Sequence, residues 1–237
     1  PFCSCSSIPI FIGFTSAGLP LGVTFSFLIS SPMVDIASLL LLMSFFEAKI
    51  AIAYVVAGLI LAVIGGTIIE KLGMEKHIED YVWAAQNIDS EADEMTREER
   101  ISFAKDQVKD IIHKVWLYIF IGVGIGAAIH NWIPQSFIEK ILGGNNPFAV
   151  LLATVVALPI YADIFGTLPI AEALVAKGVG IGTVLSFMMA VTTLSLPSII
   201  MLSKVIKPKL LSLFIGIVVV GIIIIGYAFN AFSYIFI

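Results

Sequence analysis

Cys3 and Cys5, the only cysteines in the chain, stand two residues apart beside Pro1, Ser4, Ser6, Ser7 and Pro9. Paired thiolates are soft ligands that suit a soft metal ion better than a sugar or an amino acid. On a helix this spacing turns the two thiols roughly 200° apart, because each residue advances about 100°. They converge on one ligand only where the backbone is not helical. The surrounding prolines and serines predict such an irregular start, with a short helix beginning at Pro9, since proline is tolerated in a first turn. A third soft contact would have to come from Met33, Met188 or Met189. Two plainer uses compete with this: free cysteine is often a small buried hydrophobe, and the pair could cycle through a strained disulfide. The cysteines are too close for an ordinary stabilising disulfide and too few for a structural zinc site, so no metal and no cofactor are expected.

A second set of candidates lies inside apolar sequence. Asp35, Asp163 and Glu172 are flanked by hydrophobic runs, where a charge costs on the order of 3 kcal/mol at the centre of a bilayer. Intramembrane carboxyls are functional by default, and Asp35 and Asp163 are the candidates for coupling export to a proton gradient from one shared cavity. Glu172, close to Lys177, reads more simply as interfacial. Pro32 and Pro197 each lack an N–H and free carbonyls one turn earlier, near Leu28 and Thr193. At membrane depth those carbonyls need a polar cavity, here expected to be lined by Ser30, Ser31, Thr192 and Ser195. With Cys3 and Cys5 these four hydroxyl residues form the expected substrate-binding set. The run Gly178 to Thr183 lacks the lysine of a phosphate loop and reads as a tight turn.

Composition supplies the elements that must position these groups. The chain is 59% hydrophobic and 13% charged, with mean hydropathy +1.05, beyond the range of soluble globular domains. An all-α polytopic membrane protein is the expected class. A net charge of −4 argues against nucleic acid as a partner. Ile8 to Ala17 is too short to span; Leu21 to Phe46 is long enough but interrupted at Ser30, Ser31 and Pro32; Ile50 to Ile69 spans without interruption. Residues 70–114 then hold twelve of the seventeen acids and seven of the thirteen bases, which marks a soluble insert. Within it a helix is expected around Met74 to Asn87, followed by an amphipathic helix opened by a Thr96–Glu99 capping box. Val115 to Ile133 spans again, Gln135 to Leu142 reads as interfacial, and Phe148 to Ala162 is broken at Pro159. A short segment follows from Leu168 to Ala176, then Ile181 to Ile206, interrupted between Thr192 and Pro197, and finally Leu210 to Phe236. Three regions result: residues 1–69 as a first transmembrane repeat, 70–114 as a cytoplasmic helical insert, and 115–237 as a second repeat.

The repeat is visible directly. A shift of 160 residues aligns Pro9 with Pro169, Ile10 with Ile170, Gly18 with Gly178, Gly22 with Gly182, Ser26 with Ser186 and Phe27 with Phe187. Pro9, Pro32, Pro169 and Pro197 are the expected hinges or helix breaks. Paired discontinuous helices in two halves point to a transporter's binding site. Ten basic residues fall on one side against three on the other if the short helices cross the membrane, which makes the repeat inverted and the insert cytoplasmic. If they re-enter instead, the split is eight to five. The two segments before the second copy have no counterpart before Pro1, so about two helices are expected to be supplied by preceding sequence or by a companion membrane subunit.

The stretch PFCSCSSIP, the run SSPMVD and the later LPIYADIFGTLPI together resemble the predicted permease family that includes the ArsP-like organoarsenical efflux permeases. The resemblance covers nearly the whole chain. It implies a polytopic inner-membrane permease and, for the ArsP-like members, export of trivalent organoarsenicals with cysteine participation. A secondary efflux transporter is thus the first functional class. A membrane thiol-disulfide oxidoreductase using Cys3 and Cys5 is the second, disfavoured by the lack of a Cys-x-x-Cys pair and by a repeat that such an enzyme does not require. The expected partners are a small-molecule substrate and the lipid bilayer, with a second copy of the chain left open.

Overall fold

The computed structural model describes residues 4–83, 98, 101–102, 105–106, 109, 148–160, 162 and 164–232. The Thr96–Glu99 capping box, the spans and interfacial segment expected over 115–142, Cys3 and Asp163 lie outside the described residues. The first half contains α1 (Ser4–Ser16), α2 (Leu21–Ser30), α3 (Ile36–Phe45) and α4 (Ala48–Lys71). A 3-10 turn, Met74–His77, and α5 (Asp80–Trp83) follow. The second half contains α6 (Ala149–Ala157), α7 (Ile164–Ala176), α8 (Ile181–Thr193), α9 (Leu196–Leu202) and α10 (Pro208–Ala231). No β-strand occurs among the described residues; the only extended pairing there is a bridge between Ile78 and Ile206.

Length and apolarity decide what these helices can do. At about 1.5 Å per residue a 24-residue helix extends roughly 36 Å, enough to cross a hydrocarbon core of about 30 Å. Three described stretches are long and apolar enough to cross a membrane: α4, the α8–α9 pair taken as Ile181–Leu202, and α10. Within their most apolar windows 83% of α8–α9 is buried, against 39% for α4 and 28% for α10. The interrupted pair is therefore the centre of the fold, and the uninterrupted helices flank it. On α4 the outward face carries exposed Ile52, Val56, Leu59 and Val63, a contiguous apolar surface that water would penalise and lipid would not. The molecule is an all-α membrane protein.

The two halves share one register. Helices α1 and α7 start and stop 160 residues apart, and so do α4 and α10. Helices α2 and α8 also start 160 apart, but α8 runs to 13 residues where α2 stops at 10, so the second interruption comes later. The turns that lead into them are equivalent as well, with Gly18 and Gly178 both at φ 80°, a left-handed conformation that costs a side-chain-bearing residue energy.

Each half is held by the same close crossing. A Cβ added at Gly66 would collide with the Ser26 hydroxyl and the Gly22 carbonyl, and one added at Gly226 with the Ser186 hydroxyl. Small residues let the helix backbones approach closely, as is common between membrane helices. The Ser186 hydroxyl lies 2.8 Å from the Gly182 carbonyl of its own helix and 3.3 Å from the Ile222 carbonyl of α10. Asn230 strengthens this crossing: its Oδ1 accepts the Gly182 N–H at 2.9 Å and its Nδ2 donates to Thr183 Oγ1 at 3.1 Å. At the equivalent place in the first half, the Glu70 carboxylate rests on Gly22.

Contacts between the halves are aromatic in the core and backbone-mediated at one end. Phe25 of α2 packs edge-on against Phe11 of α1, centroids 5.0 Å apart, and against Phe214 of α10 at 5.9 Å. After α4 the chain pairs with the segment before α10: Glu79 N–H donates to the Val205 carbonyl at 3.0 Å and Lys207 N–H to the His77 carbonyl at 2.7 Å. Lys207 Nζ adds a bond to the Lys76 carbonyl at 3.2 Å. Ile78 and Val82 are buried, so the opening of the charged insert is docked on the membrane body and is not wholly solvated. The single helix expected around Met74 to Asn87 is instead a 3-10 turn followed by α5 over its described part.

Two local expectations are corrected. Pro9 and Pro169 are not helix starts or breaks: each is the sixth residue of a continuous 13-residue helix. A proline there costs one backbone bond and bends the helix, which tertiary packing can offset, as Phe11 and Ile12 after Pro9 and Ile170 and Ala171 after Pro169 are all buried. The irregular backbone expected around the cysteines is likewise replaced by helix from Ser4 onward, so Cys5 sits in the first turn of α1.

Candidate functional site

The first interruption separates α2 from α3. Helix α2 ends at Ser30, and the N–H groups of Met33 and Val34 return to the Ser30 carbonyl at 3.0 and 2.8 Å. Pro32 sits in this turn, where its missing N–H breaks no ladder. The Ser31 and Ser7 hydroxyls are 2.6 Å apart and fasten the turn to α1. Ser30 turns its hydroxyl back to the Phe27 carbonyl at 3.3 Å. Asp35 is half-buried one residue ahead of α3, its carbonyl accepting the Leu39 N–H at 2.9 Å; it stands at a helix start and not within a helix.

The second interruption separates α8 from α9. Ser195 precedes α9, and Pro197 lies in that helix's first turn, a position that suits proline. The Leu196 N–H donates to the Leu158 carbonyl at 2.9 Å, so the end of α6 satisfies backbone exposed by the break. The Ser195 and Ser198 hydroxyls share a hydrogen bond of 2.7 Å. Thr192 bonds back to the Met188 and Met189 carbonyls at 3.0 and 3.1 Å.

These two interruptions meet at one cavity of about 340 Å³ of empty space, part of it open to the surroundings. Pro32 reaches it from the first break, and Thr193 and Ser198 from the second. Ile8 of α1, Leu28 of α2 and Phe214 of α10 supply apolar wall. Thr193 is only 6% exposed and its hydroxyl has no hydrogen-bond partner, although a buried hydroxyl left unpaired is costly. On the far side of α8 the fully buried Tyr54 hydroxyl of α4 has Thr192 as its polar neighbour and makes no hydrogen bond of ordinary geometry.

The lining hydroxyls are thus Thr193 and Ser198, each next to an expected residue and not that residue itself. Thr192 is one position away, Ser195 is bonded to Ser198, Ser31 adjoins Pro32, and Ser30 faces its own helix. Tyr54 was also not among the expected residues; a lone tyrosine in an uninterrupted apolar span is the signal that would have found it. Met33, Met188 and Met189 are all buried, and Glu172 is exposed on α7.

Paired interrupted helices that meet at a buried recess, in two halves of one register, define a helical membrane protein built as a permease is built. The chain belongs to the ArsP_1 family of predicted permeases, whose profile matches residues 1–231. It is also similar to the UPF0718 protein MJ0584 of Methanocaldococcus jannaschii, 32% identical over 136 residues. That match covers 54% of this chain and 37% of the archaeal protein. No solved structure matches the chain.

Proposed function

We propose that the protein is a multi-pass inner-membrane permease, a secondary efflux transporter of a soft-ligand substrate such as a trivalent organoarsenical. The observation that carries this reading is the cavity shared by the two helix interruptions, one from each half. A transporter needs a binding site that both halves contribute to, so that movement of one half against the other changes which side the site faces. In this reading the repeat is inverted and the charged insert faces the cytoplasm. Cys3 and Cys5 deliver the substrate: two thiols replace two hydroxyls of a trivalent arsenical and release two waters, with no change in oxidation state, and the reverse exchange frees it. Asp35 and Asp163 carry the coupling proton.

Everted vesicles loaded with a pH gradient provide the test. Phenylarsonous acid should accumulate only in vesicles carrying the protein and only while the gradient holds, and Cys3→Ser and Cys5→Ser should each abolish uptake. Uptake equal to that of empty vesicles across a panel of trivalent arsenicals and soft metal ions would reject the reading.

A further inference from the structure

We infer that the cavity between the two interruptions selects a small uncharged solute with an oxygen-bearing end and an apolar end, held by the hydroxyls of Thr193 and Ser198 and not by thiolate or charge. The inference rests on the reading of this cavity as the substrate site. None of its lining side chains is ionisable, so an oxyanion or a metal ion would enter with no compensating charge and would lose its hydration.

The polar groups present have capacity to spare. The Thr193 hydroxyl is buried and unpartnered. Ser195 and Ser198 spend one of their two protons on each other, which leaves a second O–H for another acceptor. A solute carrying hydroxyl or carbonyl oxygen can satisfy both sets at once. Leu28, Ile199, Leu202 and Phe214 form the opposite wall and suit an alkyl or aryl group, the usual division of labour in a small-molecule pocket. The geometry separates two tasks: recognition at this cavity by hydroxyls, and soft-ligand exchange at Cys3 and Cys5.

The full chain in everted vesicles, with Cys3→Ser and Cys5→Ser in place, provides a cysteine-free background for the test. Thr193→Cys and, separately, Ser198→Cys then carry the only thiol. Butyl, sulfonatoethyl and trimethylammonioethyl methanethiosulfonate have similar length and are neutral, anionic and cationic in turn. Their rates are normalised to those at Ser203→Cys, an exposed position. The butyl reagent should modify both cavity variants about tenfold faster than either charged reagent, because entry of an ion is penalised by desolvation. Equal normalised rates for a charged reagent, or no modification by any of the three at both positions, would overturn the inference. Transport of phenylarsonous acid by the unsubstituted protein is scored separately. Selective labelling without transport sinks the efflux reading and keeps the cavity's selectivity; transport with unselective labelling does the opposite.

Discussion

Ser7 and Ser31, 24 residues apart, place their hydroxyls 2.6 Å from each other and so fix the first helix to the turn that interrupts the second. Both sit in apolar surroundings where no water competes strongly for the bond. Ser31→Ala should destabilise the protein by about 1 kcal/mol and Ser7→Ala by a similar amount, with the double variant losing less than the sum. Denaturation midpoints of the three variants in detergent check the coupling; full additivity would mean the bond contributes nothing.

The helix crossings give a sharper contrast. Gly66→Ala and Gly226→Ala each push a methyl into a serine hydroxyl of the facing helix, and overpacking of this kind costs about 1–3 kcal/mol. Gly216→Ala lies on the same helix as Gly226 and meets nothing within 4 Å, so it should be neutral or slightly stabilising. Thermal unfolding of the purified variants distinguishes the three.

Asn230→Leu removes both the acceptor for Gly182 N–H and the donor to Thr183. A part-buried N–H left without a partner should lower stability by about 1–3 kcal/mol. Asn230→Asp keeps the acceptor and should recover a good part of the loss. Equal losses in both variants would assign the effect to the Thr183 bond.

Asp35→Asn should leave exchange of phenylarsonous acid across vesicles intact while abolishing its accumulation against a gradient, if this carboxyl carries the coupling proton. Counterflow and net uptake measured on the same vesicles separate the two. Undiminished uphill accumulation would remove Asp35 from the coupling pathway.

Much of this architecture is legible in the sequence because membrane helices advertise themselves by length. Ile50 to Ile69 and Leu210 to Phe236 are close to the observed α4 and α10, and the register of 160 residues follows from prolines and glycines that fix backbone shape. What the sequence conceals is rotation. One residue turns a helix face by about 100°, and α8 is apolar and buried on all sides over most of its length, so nothing in the pattern says whether Thr192 or Thr193 meets the cavity. The prolines mislead for a related reason. Pro9 and Pro169 read as helix starts because an isolated helix would end there, while the packing that carries the helix past them is tertiary. Gly66 and Gly226 escaped the repeat because small residues in a uniformly apolar span have no local signature.

The pairing of residues 77–79 with 205–207 makes the amide protons of Glu79 and Lys207 reporters on motion between the halves. Both amides are bonded across the junction and not within a helix, so neither exchanges with deuterium unless the junction parts. If the transport cycle opens this face, their exchange quickens when the protein turns over and slows when it is held closed, while amides inside α4 and α10 keep their own pace. Two backbone protons thus time the separation of the halves without any label.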